Sequence, residues 1–318
     1  MAFVSSLVVT AALLHNRLDG RWPHTLVTIR RQPRVVKALL RFLFSKLSKK
    51  AKARALYLES CRQMSKDRLG HPPGISDLFS YLLMAYPPPA DEKEEYSDDY
   101  LSFLEGQAAS LVSGGTETSS TLMTSLIYNL LMHPDKLARL LEEVRQLFPR
   151  SEDINVDSVK QAFYLQAVIE EGLRIFPPVA FGLPRVCPGI TIAGVYVPKG
   201  TIVQSPGILM ARHERYFDRA KEFLPERWLP VGHLHYDEQF AHDRKEASRP
   251  FSLGPRQCIG TSLAYTEWRL VLAELVWRFD WELVGARVDL MKTSRLRLLW
   301  EMPPTRVRFT DRKDLPSW

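Results

Sequence analysis

The chain has 318 residues, of which 45% are hydrophobic, and a formal net charge of +7. This length and apolar content allow one large buried core or two ordinary ones, which excludes a disordered or fibrous protein. Three cysteines, Cys61, Cys187 and Cys258, are odd in number and far apart. They form no CxxC pair, so their spacing indicates neither a disulfide framework nor a structural zinc site, and it fits a reducing compartment.

The basic charge is concentrated near the start of the chain. The opening residues, MAFVSSLVVTAALLHNR, contain a short apolar run without a basic flank, which favours an internal helix over a targeting segment. Eleven basic residues and no acidic one then lie between Arg21 and Arg54. Apolar residues recur at helical spacing among them, which predicts basic helices over 33–70 with a break near Ser48. We expect residues 33–54 to form either a solvated basic face over a packed apolar stripe or a contact with a membrane surface. Nucleic acid is disfavoured because no groove-reading motif is present.

A long helix with an unusual centre follows a short one. We predict a helix over 76–84, a polar loop, and a very long helix over 97–133 that begins at Ser97 and ends before Pro134. Its centre reads SGGTETSST, where each glycine costs about 1 kcal/mol relative to alanine. The run permits a close approach of another group at Gly115, and Glu117 beside Thr118 supplies an acid and an alcohol that could relay protons. Tight helix packing is the alternative. A phosphate-binding loop is not indicated, because the run lacks the GK[ST] sequence of such loops.

The next segments suggest an ion pair and a small sheet. Helices are predicted over 134–148 and 157–175, and the second places Glu171 and Arg174 three residues apart on one face. Arg227, in the turn FLPERW, could join the same carboxylate. Short strands are predicted in ITIAGVYVPKGTIV, an irregular loop over 230–250, a helix over 260–278, and a closing hairpin between 288–300 and 305–310. The sum is a mainly helical fold with a small β component.

One thiol stands out in the stretch FSLGPRQCIG. Cys258 is flanked by glycines and follows Arg256 by two residues, an environment that favours a thiolate. Zinc and iron–sulfur sites require more sulfur or histidine ligands, whereas haem requires one axial ligand. A Cys–His nucleophile would leave the other motifs unexplained. The histidines of the 230–250 loop, His233, His235 and His242, lack metal-site spacing and are predicted to be solvated.

The motif F-x-x-G-x-R-x-C-x-G, Phe251 to Gly260, resembles the haem-binding signature of the cytochrome P450 monooxygenases. The motifs GGTETS, EGLR and FLPERW stand before it in the order of that family, and the segment after Cys258 looks most like fungal members that oxidise secondary metabolites. The resemblance covers essentially the whole chain and implies one domain of the P450 fold over 1–318. It also implies a haem b cofactor and insertion of one oxygen atom from O2 into an apolar small molecule.

The resemblance further implies roles for individual residues. Cys258 would be the axial iron ligand and Phe251 would pack beside it, while Arg256 would reach a haem propionate and Gly254 and Gly260 would shape the loop. Gly115, Glu117 and Thr118 match the oxygen-activating groove, in which Glu117 and Thr118 pass protons. Glu171, Arg174 and Arg227 match the triad that holds the cysteine loop. Val179, Phe181 and Leu183 would face the substrate.

The same resemblance implies partners and a location, and it raises one departure. NADPH–cytochrome P450 reductase would supply electrons, with cytochrome b5 as a second donor, and the family works on the cytosolic face of the endoplasmic reticulum membrane. Members usually begin with an anchor and a long N-terminal portion, which this sequence is expected to lack. Two hypotheses follow. One is a working monooxygenase, and the other is an inactive fragment acting at most as a binding module, in which haem would bind substoichiometrically without turnover.

Overall fold

The computed structural model describes residues 49–70, 77–87, 96–297 and 299–312. The chain divides into two compact units, residues 1–114 and residues 115–318. The expected single domain over 1–318 therefore stays a prediction. The opening segment and the predicted helical residues 33–48 lie outside the described residues.

The first unit consists of helices. It contains α1 (Lys49–Leu69), α2 (Leu78–Ala85) and the first part of α3 (Asp98–Met132). The hydroxyl of Tyr57 on α1 donates to the carbonyl of Ala109 on α3 at 2.7 Å, and Cys61 is fully buried. Asp77 caps α2, and its hydrogen bond from Arg68 lowers the pKa of this carboxyl to about 2. As predicted, α3 begins after Ser97, whose hydroxyl accepts from the backbone N–H of Tyr100.

The second unit holds the main core around the rest of α3. Three helices pack there: α4 (Pro134–Leu147), α5 (Phe163–Ile175) and α7 (Thr261–Arg278), with the short α6 (Gly207–Ala211) between α5 and α7 in the chain. The fully buried side chains of the core include Leu122, Leu126, Leu140, Val168, Leu272 and Val276. Gly172 allows α5 to approach α3 closely, because a methyl group there would lie 2.9 Å from Cγ of Leu126 and closer still to its Cδ2.

The start of α5 differs from the sequence prediction. The predicted helix over 157–175 begins only at Phe163, because residues 158–161 form a 3-10 turn. No side chain of the preceding turn caps α5. Instead the carboxylate of Glu143, on α4, accepts from the backbone N–H groups of Tyr164 and Leu165 at 2.7 and 2.8 Å. A cap from another helix leaves no local sequence signal, which explains the misplaced boundary.

The strands form four antiparallel pairs. They are β1 (Arg185–Val186) with β4 (Ile202–Val203), β2 (Ile190–Ile192) with β3 (Val195–Val197), β5 (Phe279–Val284) with β8 (Arg306–Asp311), and β6 (Arg295–Leu296) with β7 (Trp300–Glu301). The described residues are thus mainly helical with a small β component, as predicted. None of the described helices combines the length and apolar character needed to span a bilayer.

The predicted hairpin between 288–300 and 305–310 is wrong. The partner of 306–311 is β5, which follows α7 directly and alternates half-buried and exposed residues. Phe309 contacts the rings of Phe279 and Trp281 across this pair, with centroids 5.9 and 5.7 Å apart. The segment 288–300 is interrupted by α8 (Leu290–Thr293), which Asp289 caps. Aromatic cross-strand contacts therefore decide the pairing.

Candidate active site

A fully buried carboxylate organises the second unit. Glu171 accepts five hydrogen bonds and its side chain is 0% exposed. Arg174 donates two of them from Nε and Nη2, both at 2.7 Å. The others come from the backbone N–H of Leu224 at 2.8 Å, Nε of Arg227 at 3.2 Å and Nε1 of Trp228 at 2.8 Å. Burial opposes ionisation here, but the two guanidiniums and the other donors prevail and hold the pKa of Glu171 below its ordinary value.

The two arginines connect this carboxylate to the irregular chain after α6. Arg174 donates from Nη1 to the carbonyls of Ala211 and Ala220 at 2.7 and 2.6 Å. Arg227 donates from Nη2 to the carbonyl of Asp218 at 3.0 Å and pairs with Asp243. The structure thus brings Glu171, Arg174 and Arg227 together as the sequence predicted. It adds Trp228 and Asp243, which sequence reasoning missed.

The cysteine loop is short and internally bonded. The backbone N–H of Cys258 donates to the carbonyl of Phe251 at 2.9 Å, and that of Gln257 donates to Gly254 at the same distance. Gly254 has φ +77°, in the left-handed region that a glycine adopts without strain. The hydroxyl of Thr261 donates to the carbonyl of Cys258, so the loop runs directly into α7 at Gly260. The thiol of Cys258 is exposed at the surface of this loop.

Aromatic packing holds the start of the loop. The half-buried ring of Phe251 stacks on Trp268 with centroids 5.8 Å apart and contacts Tyr265 at 5.3 Å. The hydroxyl of Tyr265 donates to Glu170 at 2.9 Å, which connects α7 to α5. Phe251 is therefore packed against α7, and its carbonyl holds the backbone of Cys258 by a hydrogen bond.

The middle of α3 carries the predicted acid and alcohol. Glu117 is exposed and Thr118 is half-buried. A methyl group at Gly115 would meet no atom of the described residues within 4 Å, so tight helix packing has no support at this glycine. A groove of about 330 Å³ lies between α3 and α7 and is lined by Gly115, Ser119 and Glu267 among others. Ser119 donates to Glu267 there at 3.3 Å.

The three predicted substrate-facing residues follow the two prolines that end α5. Val179 is half-buried, whereas Phe181 is 42% and Leu183 55% exposed. Gly182 separates the last two and has φ +59°. A methyl group on Gly182 would lie 2.9 Å from the carbonyl oxygen of Ser205, which explains the glycine. Their role stays a prediction.

The loop histidines differ from expectation. His242 is exposed as predicted, but His233 and His235 are partly buried. Nε2 of His233 lies 3.8 Å from Glu143, and the ring of His235 contacts Tyr164. The prediction of a solvated group is therefore wrong for these two, because the loop folds back onto α4 and α5.

The donor set fits a haem. Within the described residues no group of three or more His, Cys, Asp or Glu could hold a metal ion. A single exposed thiol suits a haem iron, because the porphyrin supplies ligands of its own and the protein needs to supply only one. Leu253, Ile259 and Leu263 expose apolar side chains within five residues of Cys258. The exposed Arg256 makes no ion pair with a described residue, so its charge is available to a propionate.

Comparisons with known proteins identify the family. The family model for cytochrome P450 matches residues 24–309. The chain is 65% identical to the cytochrome P450 monooxygenase btcC of Neocamarosporium betae over 89% of this chain and 55% of that protein. It is 42% identical to the btcC protein of Colletotrichum orbiculare over 88% and 52% of the two chains. The chain belongs to the cytochrome P450 family, as its motifs predicted.

A solved structure supports the same fold. Cyanobacterial CYP120A1 with bound retinoic acid matches with a TM-score of 0.65 and 26% identity, over 82% of this chain and 57% of that one. The fold is that of a cytochrome P450, and haem is the cofactor of this family. The chain spans about half the length of the curated relatives it matches.

Proposed function

We propose that this chain supplies the haem-thiolate site of a fungal monooxygenase. The enzyme inserts one oxygen atom of O2 into an apolar small molecule of secondary metabolism. The observation that carries this proposal is the single exposed thiol of Cys258, on a loop bonded to Phe251 and running into α7. The fungal monooxygenases among its relatives support the reaction class.

Haem, when bound, supplies the reduction and cleavage of O2, and a thiolate ligand promotes that cleavage. Cys258 is the residue that would hold its iron. Phe251 would keep the sulfur in place through its bonded carbonyl, and Arg256 would bind a propionate by a charge-assisted hydrogen bond. Gly254, with its left-handed φ, would let the loop turn, Gly260 would lie against the sulfur, and Gly115 would leave room on α3.

Proton delivery is assigned to α3. The carboxylate of Glu117 is exposed and is accessible to water. The next residue, Thr118, is half-buried, and its hydroxyl can both accept and donate a proton. The pair would carry protons from solvent to the reacting oxygen by general acid catalysis.

The substrate contacts are assigned to the segment after α5. Val179, Phe181 and Leu183 offer apolar surface, and two of the three are exposed. Apolar lining of this kind selects an apolar substrate. The position oxidised would depend on how these side chains orient it.

Electrons would come from NADPH–cytochrome P450 reductase, with cytochrome b5 as a second donor. We assign the enzyme to the cytosolic face of the endoplasmic reticulum membrane. The basic segment 33–54, which carries eight positive charges, would contact the anionic membrane surface.

Isotope labelling tests this proposal. The haem-loaded protein, supplied with reductase and NADPH, is incubated under ¹⁸O2 with a panel of apolar fungal metabolites. We expect a product that gains a single ¹⁸O atom, and no label when the ¹⁸O is in water. Failure of the loaded protein to oxidise any member, with NADPH consumed no faster than by the reductase alone, would favour the non-catalytic alternative.

A further inference from the structure

We propose that Asp243 is a positioning residue for the cysteine loop, a role that rests on the proposed haem-thiolate function. Its side chain is 2% exposed, although it lies in an irregular segment of the chain. One carboxylate oxygen pairs with Nη1 of Arg227. The other accepts the backbone N–H of Asp218 at 2.6 Å.

Asp243 completes the bonding of Arg227. That guanidinium donates from Nε to Glu171 at 3.2 Å and from Nη2 to the carbonyl of Asp218 at 3.0 Å. Nη2 also lies 3.5 Å from the carbonyl oxygen of Arg219, and among the described residues Asp243 is the acceptor for Nη1. Asp218 thus donates its N–H to Asp243 and accepts from Arg227 through its carbonyl, while Asp243 pairs with Arg227. Together these contacts hold the backbone at Asp218 against Arg227.

Asp243 also balances the charge of the buried cluster. Glu171 alone would face the guanidiniums of Arg174 and Arg227, which together carry two positive charges at 0% side-chain exposure. With Asp243 the four side chains carry two charges of each sign. Removing one partner from such a buried group leaves an uncompensated charge, which is strongly unfavourable.

Asp243 lies eight residues before Phe251, the residue that is hydrogen-bonded to Cys258. The backbone N–H of Arg244 donates to the carbonyl of Tyr216 at 2.7 Å. Ala247 is buried in a small cluster with Phe217 and Ala220. Four residues further on, Phe251 accepts the N–H of Cys258. A backbone anchored at Asp243 thus sets where the cysteine loop begins.

Hydrogen exchange of the haem-free 318-residue chain tests this role without turnover. We compare Asp243→Asn, which removes the charge, with Asp243→Glu, which keeps it. The control is Glu246→Gln, three residues after Asp243, which changes an exposed carboxylate paired with Arg244. In Asp243→Asn, amides of 244–258 should exchange about a hundredfold to a few thousandfold faster, by the usual effect of breaking a buried ion pair. Amides in the centre of α4 should change by less than about twofold, because local opening does not require global unfolding.

Asp243→Glu and Glu246→Gln should leave the loop amides close to wild type. If Asp243→Asn fails to fold while Asp243→Glu folds with a protected loop, the charge is again shown to be required. Wild-type exchange of the loop in Asp243→Asn, or equal acceleration in the loop and in α4, would overturn the proposal. Failure of both Asp243 variants to fold would also overturn it, since the residue would then serve overall stability alone. A wild-type chain that takes up no haem would instead refute the proposed function and leave the exchange comparison valid.

Discussion

Replacing Glu171 by glutamine should destabilise the second unit severely. The amide keeps the shape of the side chain but removes its charge, and it replaces one acceptor oxygen by an NH2 group, which is a donor. In the native site each oxygen accepts at least two hydrogen bonds, from Arg174 and Trp228 on one side and from Arg174, Leu224 and Arg227 on the other. Whichever way the amide turns, at least two donors face another donor.

The magnitude follows from burial. Glu171, Arg174 and Arg227 are 0% exposed, so water cannot replace the lost acceptor. Breaking a buried ion pair by removing one partner costs about 3–5 kcal/mol. The whole free energy of unfolding of an ordinary domain is about 5–15 kcal/mol, so the variant should lose a large part of it.

Urea unfolding followed by far-UV circular dichroism measures this loss. The control is Glu222→Gln, whose exposed carboxylate pairs with Arg219 on the surface and should contribute less than about 1 kcal/mol. A change of less than about 1 kcal/mol in Glu171→Gln, with the unfolding slope unaltered, would refute the argument that this carboxylate organises the unit.

Three further predictions test other parts of the account. Because the pKa of Glu171 lies below its ordinary 4.5, its contribution to stability is full above that pH and is lost as the pH falls through the lower folded value. The stability gap between wild type and Glu171→Gln should therefore be full above pH 4.5 and narrow as the pH falls below that value in urea titrations, and a constant gap would contradict it. In Gly172→Ala, overpacking should lower the free energy of unfolding by about 1–3 kcal/mol, and the better helix propensity of alanine should offset about 1 kcal/mol of that loss. Thermal or urea unfolding measures the net change. Gly106→Ala, where the added methyl meets no described atom within 4 Å, should instead stabilise by up to about 1 kcal/mol, so an equal effect of the two changes would be inconsistent with the packing. Thr118→Ala in the haem-loaded protein should lower the fraction of NADPH electrons recovered as product by roughly tenfold or more. Ser113→Ala, which removes an exposed hydroxyl of α3 that does not line the groove, should leave it unchanged, and unchanged coupling in Thr118→Ala would contradict the proton-relay assignment.

The sequence predicted the site best where spacing on a regular element decides geometry. Glu171 and Arg174 lie three apart on a helix, so their pairing follows from helix geometry alone. The glycine run inside α3 stands out in the sequence because it opposes helix propensity. Long helices with clear punctuation, such as α3, α4 and α7, appear within a residue or two of their predicted bounds.

Residues in irregular chain escaped prediction because no period places them. Asp243 lies in a segment without regular elements, and only the folded chain brings it to Arg227. Similarly, Glu143 caps α5 from another helix, and β5 pairs with a strand more than twenty residues away. Such contacts depend on tertiary packing, which overrides local pattern.

The most direct test of the account is the spectrum of the reduced, carbon-monoxide-bound protein after haem loading. A thiolate ligand gives a strongly red-shifted Soret band, since a neutral side chain cannot supply the same electron donation. Cys61→Ala and Cys187→Ala are matched controls, because both thiols are buried and the thiol of Cys187 donates a hydrogen bond to the carbonyl of Val197. Thiolate ligation by Cys258 predicts that the red-shifted band survives in both controls and vanishes in Cys258→Ala. A normal thiolate spectrum in Cys258→Ala would contradict it.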